Sequence, residues 1–260
     1  RRATPSVVSA RRRLARRCGP RCRSGVALGT PPARAVGPRD IHSLAEGTGD
    51  IDALGCWVLE TATRQAAAWR QAMDHCSNLW VAVNLSAFRL VNPQSLADIQ
   101  RILADPQTQA DKVVLEITET ALAADVQGGI TWLNTLKGLG ARIAIDDFGT
   151  GFSSLSTLSQ LPVDILKIDR SFVSGQAAAL TSVPMLEGIL GLASKLSLDV
   201  IAEGIEEPDQ LDLLRKLGCG MGQGYLLSRP APAHVLEELL ASGGLLLVAP
   251  SHEVGDVIGL

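Results

Sequence analysis

The stretch IAIDDF at residues 143–148 decides the fold class. Three apolar residues followed by two aspartates are typical of a parallel strand that is buried on both faces and ends in polar side chains. Five other short apolar runs have the same form, at residues 81–86, 113–118, 165–169, 200–204 and 220–226. Helical patterns occur at residues 51–72, 94–104, 126–139, 184–196, 208–217 and 232–242. The chain therefore predicts repeated strand–helix units.

Six such units, with the residues that precede them, approach the eight of a TIM-type barrel, whose usual size is about 250 residues. We therefore predict an α/β protein built on a modified TIM (βα)8-type barrel. A doubly wound sheet is the alternative. A G-x-G-x-x-G motif follows none of the strands, so the sequence does not support dinucleotide binding of the Rossmann kind.

The charge distribution divides the chain into a basic head and an acidic body. Residues 1–40 contain 11 Arg and one acid, a net charge of +10, whereas the other 220 residues carry 13 basic and 26 acidic side chains. The head shows no helical or alternating pattern, so we predict that residues 1–40 are a disordered or artefactual leader. A basic arm that binds nucleic acid or anionic lipid is the alternative. Residues 41–242 would form the barrel domain and residues 243–260 a C-terminal tail.

Composition excludes several classes of protein. No apolar run approaches the roughly 18 residues needed to cross a bilayer. Aromatic residues make up 3% of the chain, which argues against a DNA-binding or RNA-binding protein that stacks bases on aromatic rings. Five scattered cysteines are typical of reduced thiols, and they predict a cytoplasmic protein.

Polar side chains end most of the predicted strands. They are Asn84, Glu116, Asp146, Asp147, Lys167 and Glu203. In a barrel these positions converge on the C-terminal face, where active sites lie. Carboxylate and amide oxygens suit hard cations such as Mg²⁺ or Mn²⁺, and without a cation mutual repulsion would raise some of the carboxyl pKa values. The structural alternatives are loop caps for the aspartates and an ion pair with the carboxylates for Lys167.

Glycine alternates along the last predicted strand, at Gly218, Gly220, Gly222 and Gly224. One face of this strand would then be bare, which allows another backbone or a ligand to approach closely. Tight packing and ligand approach both remain open at this point.

In order and spacing, the motifs resemble those of the EAL-domain family of cyclic di-GMP phosphodiesterases. The matching strings are VNLS (83–86), LEITET (115–120), IDDFGTGFSSL (145–155), LPVDILKIDRSF (161–172), VIAEGIE (200–206) and GQGYLLSRP (222–230). The resemblance covers about residues 41–240 and implies a modified TIM barrel that hydrolyses cyclic di-GMP to linear pGpG.

The resemblance also implies a role for each site residue. One or two Mg²⁺ or Mn²⁺ ions would be bound by Asn84, Glu116, Asp146 and Asp147. Glu203 would be the general base, and Lys167 would orient the attacking water or balance charge on the phosphate. The secondary or substrate-binding residues would be Gln223, Glu206 and Asp169, and Glu119 would stabilise the loop that follows the aspartates. That loop and the helix after it would form a homodimer contact.

The chain departs from the family at the first barrel strand, which is degenerate or missing. The name motif Glu-Ala-Leu, followed by x-Arg-Trp, is absent, and the nearest string is Val26-Ala27-Leu28. We hypothesise that the head is either a mis-started translation or a degenerate strand. Two interpretations therefore stand: a metal-dependent phosphodiesterase, and a non-catalytic receptor or interaction module for cyclic di-GMP. A TIM-barrel lyase or aldolase with Lys167 as a Schiff base is a third.

Overall fold

The computed structural model describes residues 9–13, 51–85, 93–123, 126–149, 155–173, 179–242 and 256–259. The strands are β1 (Ser9–Arg13), β2 (Leu79–Leu85), β3 (Val113–Thr118), β4 (Arg142–Phe148), β5 (Ile165–Ile168), β6 (Asp199–Ala202), β7 (Met221–Gln223) and β8 (Asp256–Gly259). The α-helices are α1 (Ile51–Ala72), α2 (Pro93–Leu103), α3 (Glu119–Ala123), α4 (Val126–Gly138), α5 (Leu155–Leu158), α6 (Arg170–Val173), α7 (Ala179–Lys195), α8 (Pro208–Lys216) and α9 (Ala233–Ala241). Short 3₁₀ helices span Asp74–Cys76 and Ala110–Lys112.

The strands form a closed barrel in the order β1-β7-β6-β5-β4-β3-β2-β8. Adjacent strands from β2 to β7 are parallel, and β8 is parallel to β2. Strand β1 is antiparallel to both of its neighbours, β7 and β8. The predicted modified TIM-type barrel is therefore confirmed, in preference to a doubly wound sheet.

The six predicted strands and their helices are all present, and two of them differ in length by more than two residues from the prediction. Helix α7 begins at Ala179, five residues before the predicted start, and contains Pro184 inside it. Strand β7 has three residues rather than seven, because the chain turns after Gln223. The string Val26-Ala27-Leu28 lies outside the described residues, as do most of the predicted leader and tail.

Side chains from the barrel strands alternate between two apolar clusters, because successive residues of a strand point to opposite faces. One cluster combines strand residues such as Val83 and Ile143 with helix residues such as Leu59 and Leu133. The other lies on the opposite face of the sheet, inside the barrel, and consists of Trp80, Ala82, Val114, Ala144, Ile165, Ile201 and Met221. This inner cluster is the apolar floor.

Arg70 ties α1 to the entrance of the first parallel strand. Its buried guanidinium donates hydrogen bonds to the carbonyl oxygens of Leu79 and Thr108, both at 3.0 Å. Burial lowers the pKa of Arg70 from its ordinary value, and Asp111 opposes this shift. Among the described residues, no helix combines the length and apolar character needed to span a bilayer. Cys56, Cys76 and Cys219 form no disulfide bond with one another.

Backbone packs closely against one of the alternating glycines and not against another. A Cβ atom added at Gly224 would overlap the main chain of Ile205, whereas one added at Gly220 would have nothing within 4 Å. The chain just after β7 therefore has no side chain at Gly224, which allows the main chain of Ile205 to approach closely.

We expect Gly224→Ala to lower the free energy of unfolding by about 1–3 kcal/mol, since the added methyl group forces the backbone of Ile205 to move. Gly220→Ala is the matched control and should stay within about 0.5 kcal/mol of the wild type. Urea unfolding followed by circular dichroism measures both changes. Equal stability of the two variants would contradict the close approach.

Candidate functional site

A polar layer lies directly above the apolar floor of the barrel. On each parallel strand from β2 to β7, the residue two positions beyond the floor is polar, and it points to the same side because the period of a strand is two residues. These residues are Asn84, Glu116, Asp146, Lys167, Glu203 and Gln223. They lie at the C-terminal ends of the strands, where (βα)8 proteins place their active sites.

Lys167 is at the centre of this layer. Its Nζ atom lies 2.9 Å from Oε2 of Glu116, 2.6 Å from Oδ1 of Asp146 and 2.8 Å from Oε1 of Glu203. The Lys167 side chain is 3% exposed and that of Glu116 is 1% exposed. The fold thus brings together four predicted site residues from β3, β4, β5 and the end of β6.

These ion pairs speak against the Schiff-base interpretation. An amine must present its lone pair to a carbonyl carbon to form a Schiff base. Lys167 instead makes ion pairs with three carboxylates, which favour its protonated form, and a protonated amine has no lone pair.

The cluster carries more negative charge than Lys167 can neutralise. Three carboxylates around one ammonium leave a formal charge of −2, and Asp147 brings it to −3. Burial and the neighbouring charge of Asp146 raise the pKa of Asp147, and Lys167 opposes this shift. A bound divalent cation would supply the missing positive charge.

The geometry of the acidic side chains fits such a cation. One oxygen each from Asp146, Asp147 and Glu203 lies within 4.8 Å of the others. Carboxylate oxygens are the ligands that Mg²⁺ and Mn²⁺ prefer. Glu116 is linked to this group by its ion pair with Lys167. Asn84 is exposed and lies on the adjacent strand β2, where it pairs in register with Glu116 of β3.

Asp147, near the end of β4, and Gly149, just after it, both have an uncommon backbone conformation. Asp147 has a φ of 55° and Gly149 a φ of 96°, and a Cβ atom at Gly149 would lie 2.7 Å from the ring of Phe172. Buried Glu119 accepts a hydrogen bond of 3.1 Å from the backbone N–H of Gly149. Glu119 thus contacts the loop that it was expected to stabilise.

The predicted secondary residues lie at different distances from the cluster. Gln223 is half-buried at the end of β7. Half-buried Asp169 accepts the backbone N–H of Ser171 at 2.9 Å, and its charge contributes to the raised pKa of Asp147. Glu206 is exposed, and its backbone N–H donates to the side chain of Gln210 at 2.8 Å, at the start of α8. Glu206 is not one of the three acids that converge within 4.8 Å.

Comparison with known proteins assigns the chain to a family. The family model named EAL domain matches residues 27–230. The chain therefore belongs to the EAL-domain family. The match begins at Ala27, within the predicted leader and 14 residues before the boundary predicted at residue 41.

Individual relatives share substantial identity with the chain. An uncharacterized signaling protein of Caulobacter vibrioides is 41% identical over 223 residues, which cover 86% of this chain and 27% of that protein. The cyclic di-GMP phosphodiesterase NbdA of Pseudomonas aeruginosa is 40% identical over 210 residues, 81% of this chain and 27% of NbdA. The chain thus spans about a quarter of the length of these relatives.

Solved structures confirm the architecture. The PaMucR phosphodiesterase in complex with c-di-GMP matches with a TM-score of 0.79 and 32% identity, covering 89% of this chain and 93% of that one. The EAL domain of Mycobacterium smegmatis DcpA matches with a TM-score of 0.72 and 31% identity, covering 92% of this chain and 96% of that one.

We expect Lys167→Met to lower the free energy of unfolding by about 3–5 kcal/mol in the metal-free protein, because it leaves buried carboxylates without their counter-charge. Lys137→Met is the matched control. It breaks a more exposed 2.7 Å ion pair with Asp164 and should cost about 0–1 kcal/mol. Denaturant unfolding in EDTA measures both, and a loss for Lys167→Met no larger than the control would refute a central role for the ammonium.

A second prediction concerns pH. Because the fold raises the pKa of Asp147, its ionised carboxylate weakens the fold, and this penalty disappears as the pH falls through the raised pKa. In EDTA, the melting temperature of Asp147→Asn should therefore exceed that of the wild type at about pH 8. This difference in melting temperature should narrow towards about pH 4.5.

Asp212→Asn is the control for this pH series, because Asp212 is exposed and its ion pair with Arg215, at 3.3 Å, is at the surface. The difference in melting temperature between this variant and the wild type should not change with pH. Added Mg²⁺ should raise the melting temperature of the wild type more than that of Asp147→Asn, because binding to the folded state stabilises it. A difference in melting temperature between Asp147→Asn and the wild type that does not change with pH would show that the raised pKa of Asp147 is not its cause.

Proposed function

We propose that this chain is a cyclic di-GMP phosphodiesterase domain that hydrolyses cyclic di-GMP to linear pGpG. The observation that carries the proposal is the convergence of three carboxylates on Lys167 at the C-terminal end of the barrel. It is supported by the name of NbdA, a cyclic di-GMP phosphodiesterase, and by the structure of the PaMucR phosphodiesterase, which holds c-di-GMP.

The proposal assigns the metal to the acidic cluster. Asn84, Glu116, Asp146 and Asp147 would hold one or two Mg²⁺ or Mn²⁺ ions. When bound, such ions neutralise phosphate charge and make water a stronger nucleophile near neutral pH. The excess negative charge of the cluster supports this assignment, since an acidic site without cations would repel a phosphodiester.

Glu203 is the proposed general base. It projects from the end of β6, half-buried, and its Oε1 atom is held 2.8 Å from Nζ of Lys167. Glu203 would accept the proton of the water that attacks phosphorus, while the bond between phosphorus and the 3′ oxygen breaks and that oxygen takes a proton from solvent. Lys167 would orient the base and place positive charge beside the phosphate.

One observation favours a second candidate function, a non-catalytic receptor of cyclic di-GMP. The chain has Val26-Ala27-Leu28 where the family has Glu-Ala-Leu, and the family match begins at Ala27. Valine supplies no ligand oxygen, so the site would lack one carboxylate. The two functions differ in turnover, not in binding.

Two parts of the proposal rest on the sequence alone. One is a homodimer formed through the loop after β4 and the helix that follows it, part of which lies outside the described residues. The other is a cytoplasmic location. The proposal includes neither DNA nor a membrane as a binding partner.

The function is tested by incubating the purified chain with cyclic di-GMP and Mn²⁺ or Mg²⁺ and following pGpG by chromatography. Asp146→Asn should lower turnover by at least about 100-fold, because it removes a charged oxygen from the cluster. Exposed Asp212→Asn is the control and should retain the wild-type rate. No product from a folded protein that still binds cyclic di-GMP would make the chain a receptor and overturn the enzymatic proposal.

A further inference from the structure

We propose that the short helix α6 is a spacer that sets the position of Asp146 and Asp147 relative to Glu203, and that Phe172 is its positioning residue for the two aspartates. The observation that carries the inference is that α6 packs against two glycines, one just beyond each of these acidic strand ends, in space that a side chain would otherwise fill. The inference rests on the proposed function only in assigning a divalent cation to the acidic cluster.

Hydrogen bonds anchor α6 to the end of β5, the strand that carries Lys167. The backbone N–H of Ser171 donates to the carboxylate of Asp169 at 2.9 Å, and the backbone N–H of Phe172 donates to the carbonyl oxygen of Asp169 at 3.1 Å. Phe172 is half-buried and packs against the apolar cluster between the strands and the helices. Helix α6 is therefore held in place relative to the strand that carries the central ammonium.

The ring of Phe172 lies against the backbone just after β4. A Cβ atom added at Gly149 would meet the Cε2, Cζ and Cδ2 atoms of this ring at 2.7, 2.8 and 3.8 Å. The backbone N–H of the same glycine donates to the carboxylate of Glu119. Because Gly149 follows Asp147 by two residues, the ring and Glu119 together restrict where the carboxylate of Asp147 can lie.

The first residue of α6 makes a similar contact with the backbone after Glu203. A Cβ atom added at Gly204 would overlap the Cβ atom of Arg170 and would lie 3.2 Å from its Cα atom. Gly204 has a φ of 67°, a conformation that favours glycine. The backbone N–H of Glu203 donates to the carbonyl oxygen of Ile168 at 3.0 Å. The proposed general base is thus bonded to the last residue of β5, next to the start of α6.

These contacts place α6 against both sides of the acidic cluster. Strand β5 pairs with β4 on one side and with β6 on the other, so the chain that follows β5 touches the ends of both neighbours. Oxygen atoms of Asp146, Asp147 and Glu203 lie within 4.8 Å of one another, although their like charges repel. A divalent cation needs its ligand oxygens at defined separations. A shift of either strand end would therefore weaken its binding.

The test is binding of Mn²⁺ to the purified chain in the absence of any nucleotide, measured by calorimetry. Phe172→Leu keeps an apolar side chain but removes the two ring atoms that lie nearest to Gly149, and Phe172→Ala removes the whole ring. Both variants should raise the Kd for Mn²⁺ by about 10- to 100-fold, the loss typical of residues that hold metal ligands in place.

Val173→Ala is the matched control for a purely structural effect. Val173 is the next residue of α6 and packs against the same apolar cluster, so its truncation should lower the melting temperature in EDTA. The Kd of this variant for Mn²⁺ should stay unchanged. A positioning role for Phe172 is distinguished by the comparison, because Phe172→Leu should weaken metal binding at a similar cost in melting temperature.

The other side of the spacer is tested with Gly204→Ala. The added Cβ atom meets Arg170 and displaces Glu203, so this variant should lower kcat for pGpG formation even at saturating Mn²⁺, with little change in the KM for cyclic di-GMP. Gly220→Ala is the matched control, since a Cβ atom there has nothing within 4 Å. Saturating Mn²⁺ should, in contrast, restore the rate that Phe172→Leu loses at limiting Mn²⁺. Thermal melting of each variant shows whether it is folded.

Three results would overturn the inference. They are a Kd for Mn²⁺ in Phe172→Leu equal to that of the wild type, an equally large rise in Val173→Ala, and a kcat for Gly204→Ala equal to that of Gly220→Ala.

Failure of the proposed function has a separate signature. If Phe172→Leu alone weakens Mn²⁺ binding but the wild type forms no pGpG, the spacer stands and the enzymatic function falls. If the wild type forms pGpG and Phe172→Leu binds Mn²⁺ as well as the wild type does, the function stands and the spacer falls. If the folded wild type binds no Mn²⁺, the spacer also falls, and the rate of pGpG formation decides the function independently.

Discussion

The ammonium group of Lys167 is the interaction on which the rest of the site depends. It is almost completely buried and lies within 3 Å of carboxylate oxygens from three other strands or strand ends. Charges of one sign at such proximity repel strongly where water is excluded. Without the lysine, Glu116, Asp146 and Glu203 would have to separate, take up protons or bind cations. One side chain from β5 therefore allows four strands to end in the same small volume.

This arrangement follows from the period of the strands and the register of the barrel. The floor of Ala82, Val114, Ala144, Ile165, Ile201 and Met221 excludes water from below, and the next inward residue on each strand forms the polar layer. On each strand from β2 to β7, the residue of the polar layer therefore lies two positions beyond a residue of the apolar floor. The same separation explains why the strands themselves bring Glu116, Asp146 and Lys167 together.

Much of this was predictable from sequence. Apolar runs rich in Val, Ile and Leu located the strands, because strands buried on both faces leave little room for polar residues. The polar residues that end those runs located the site, because parallel strands share one C-terminal edge. Ion pairing of Lys167 with the carboxylates was open at the sequence level, since spacing along the chain does not give a distance across a barrel. The structure determines it at 2.6–2.9 Å.

Two features near the end of the barrel could not be predicted from the sequence. The guanidinium of Arg229 lies 4.7 Å from the centroid of the Tyr225 ring, and such a contact between a cation and a ring has no signature in composition or periodicity. The short β7 was also missed: a run of apolar and glycine residues does not show where hydrogen bonding ends and a turn begins.

The contact between Gly224 and Ile205 has a consequence for the timing of ligand capture. Two reciprocal backbone hydrogen bonds and a position without a side chain join the segments after β6 and β7 into one unit. We expect these two segments to move together, because separating them would break both main-chain hydrogen bonds. We therefore expect these two segments to present one rigid surface to a ligand, so that diffusion and charge, and not a movement of one segment against the other, govern the rate of binding here.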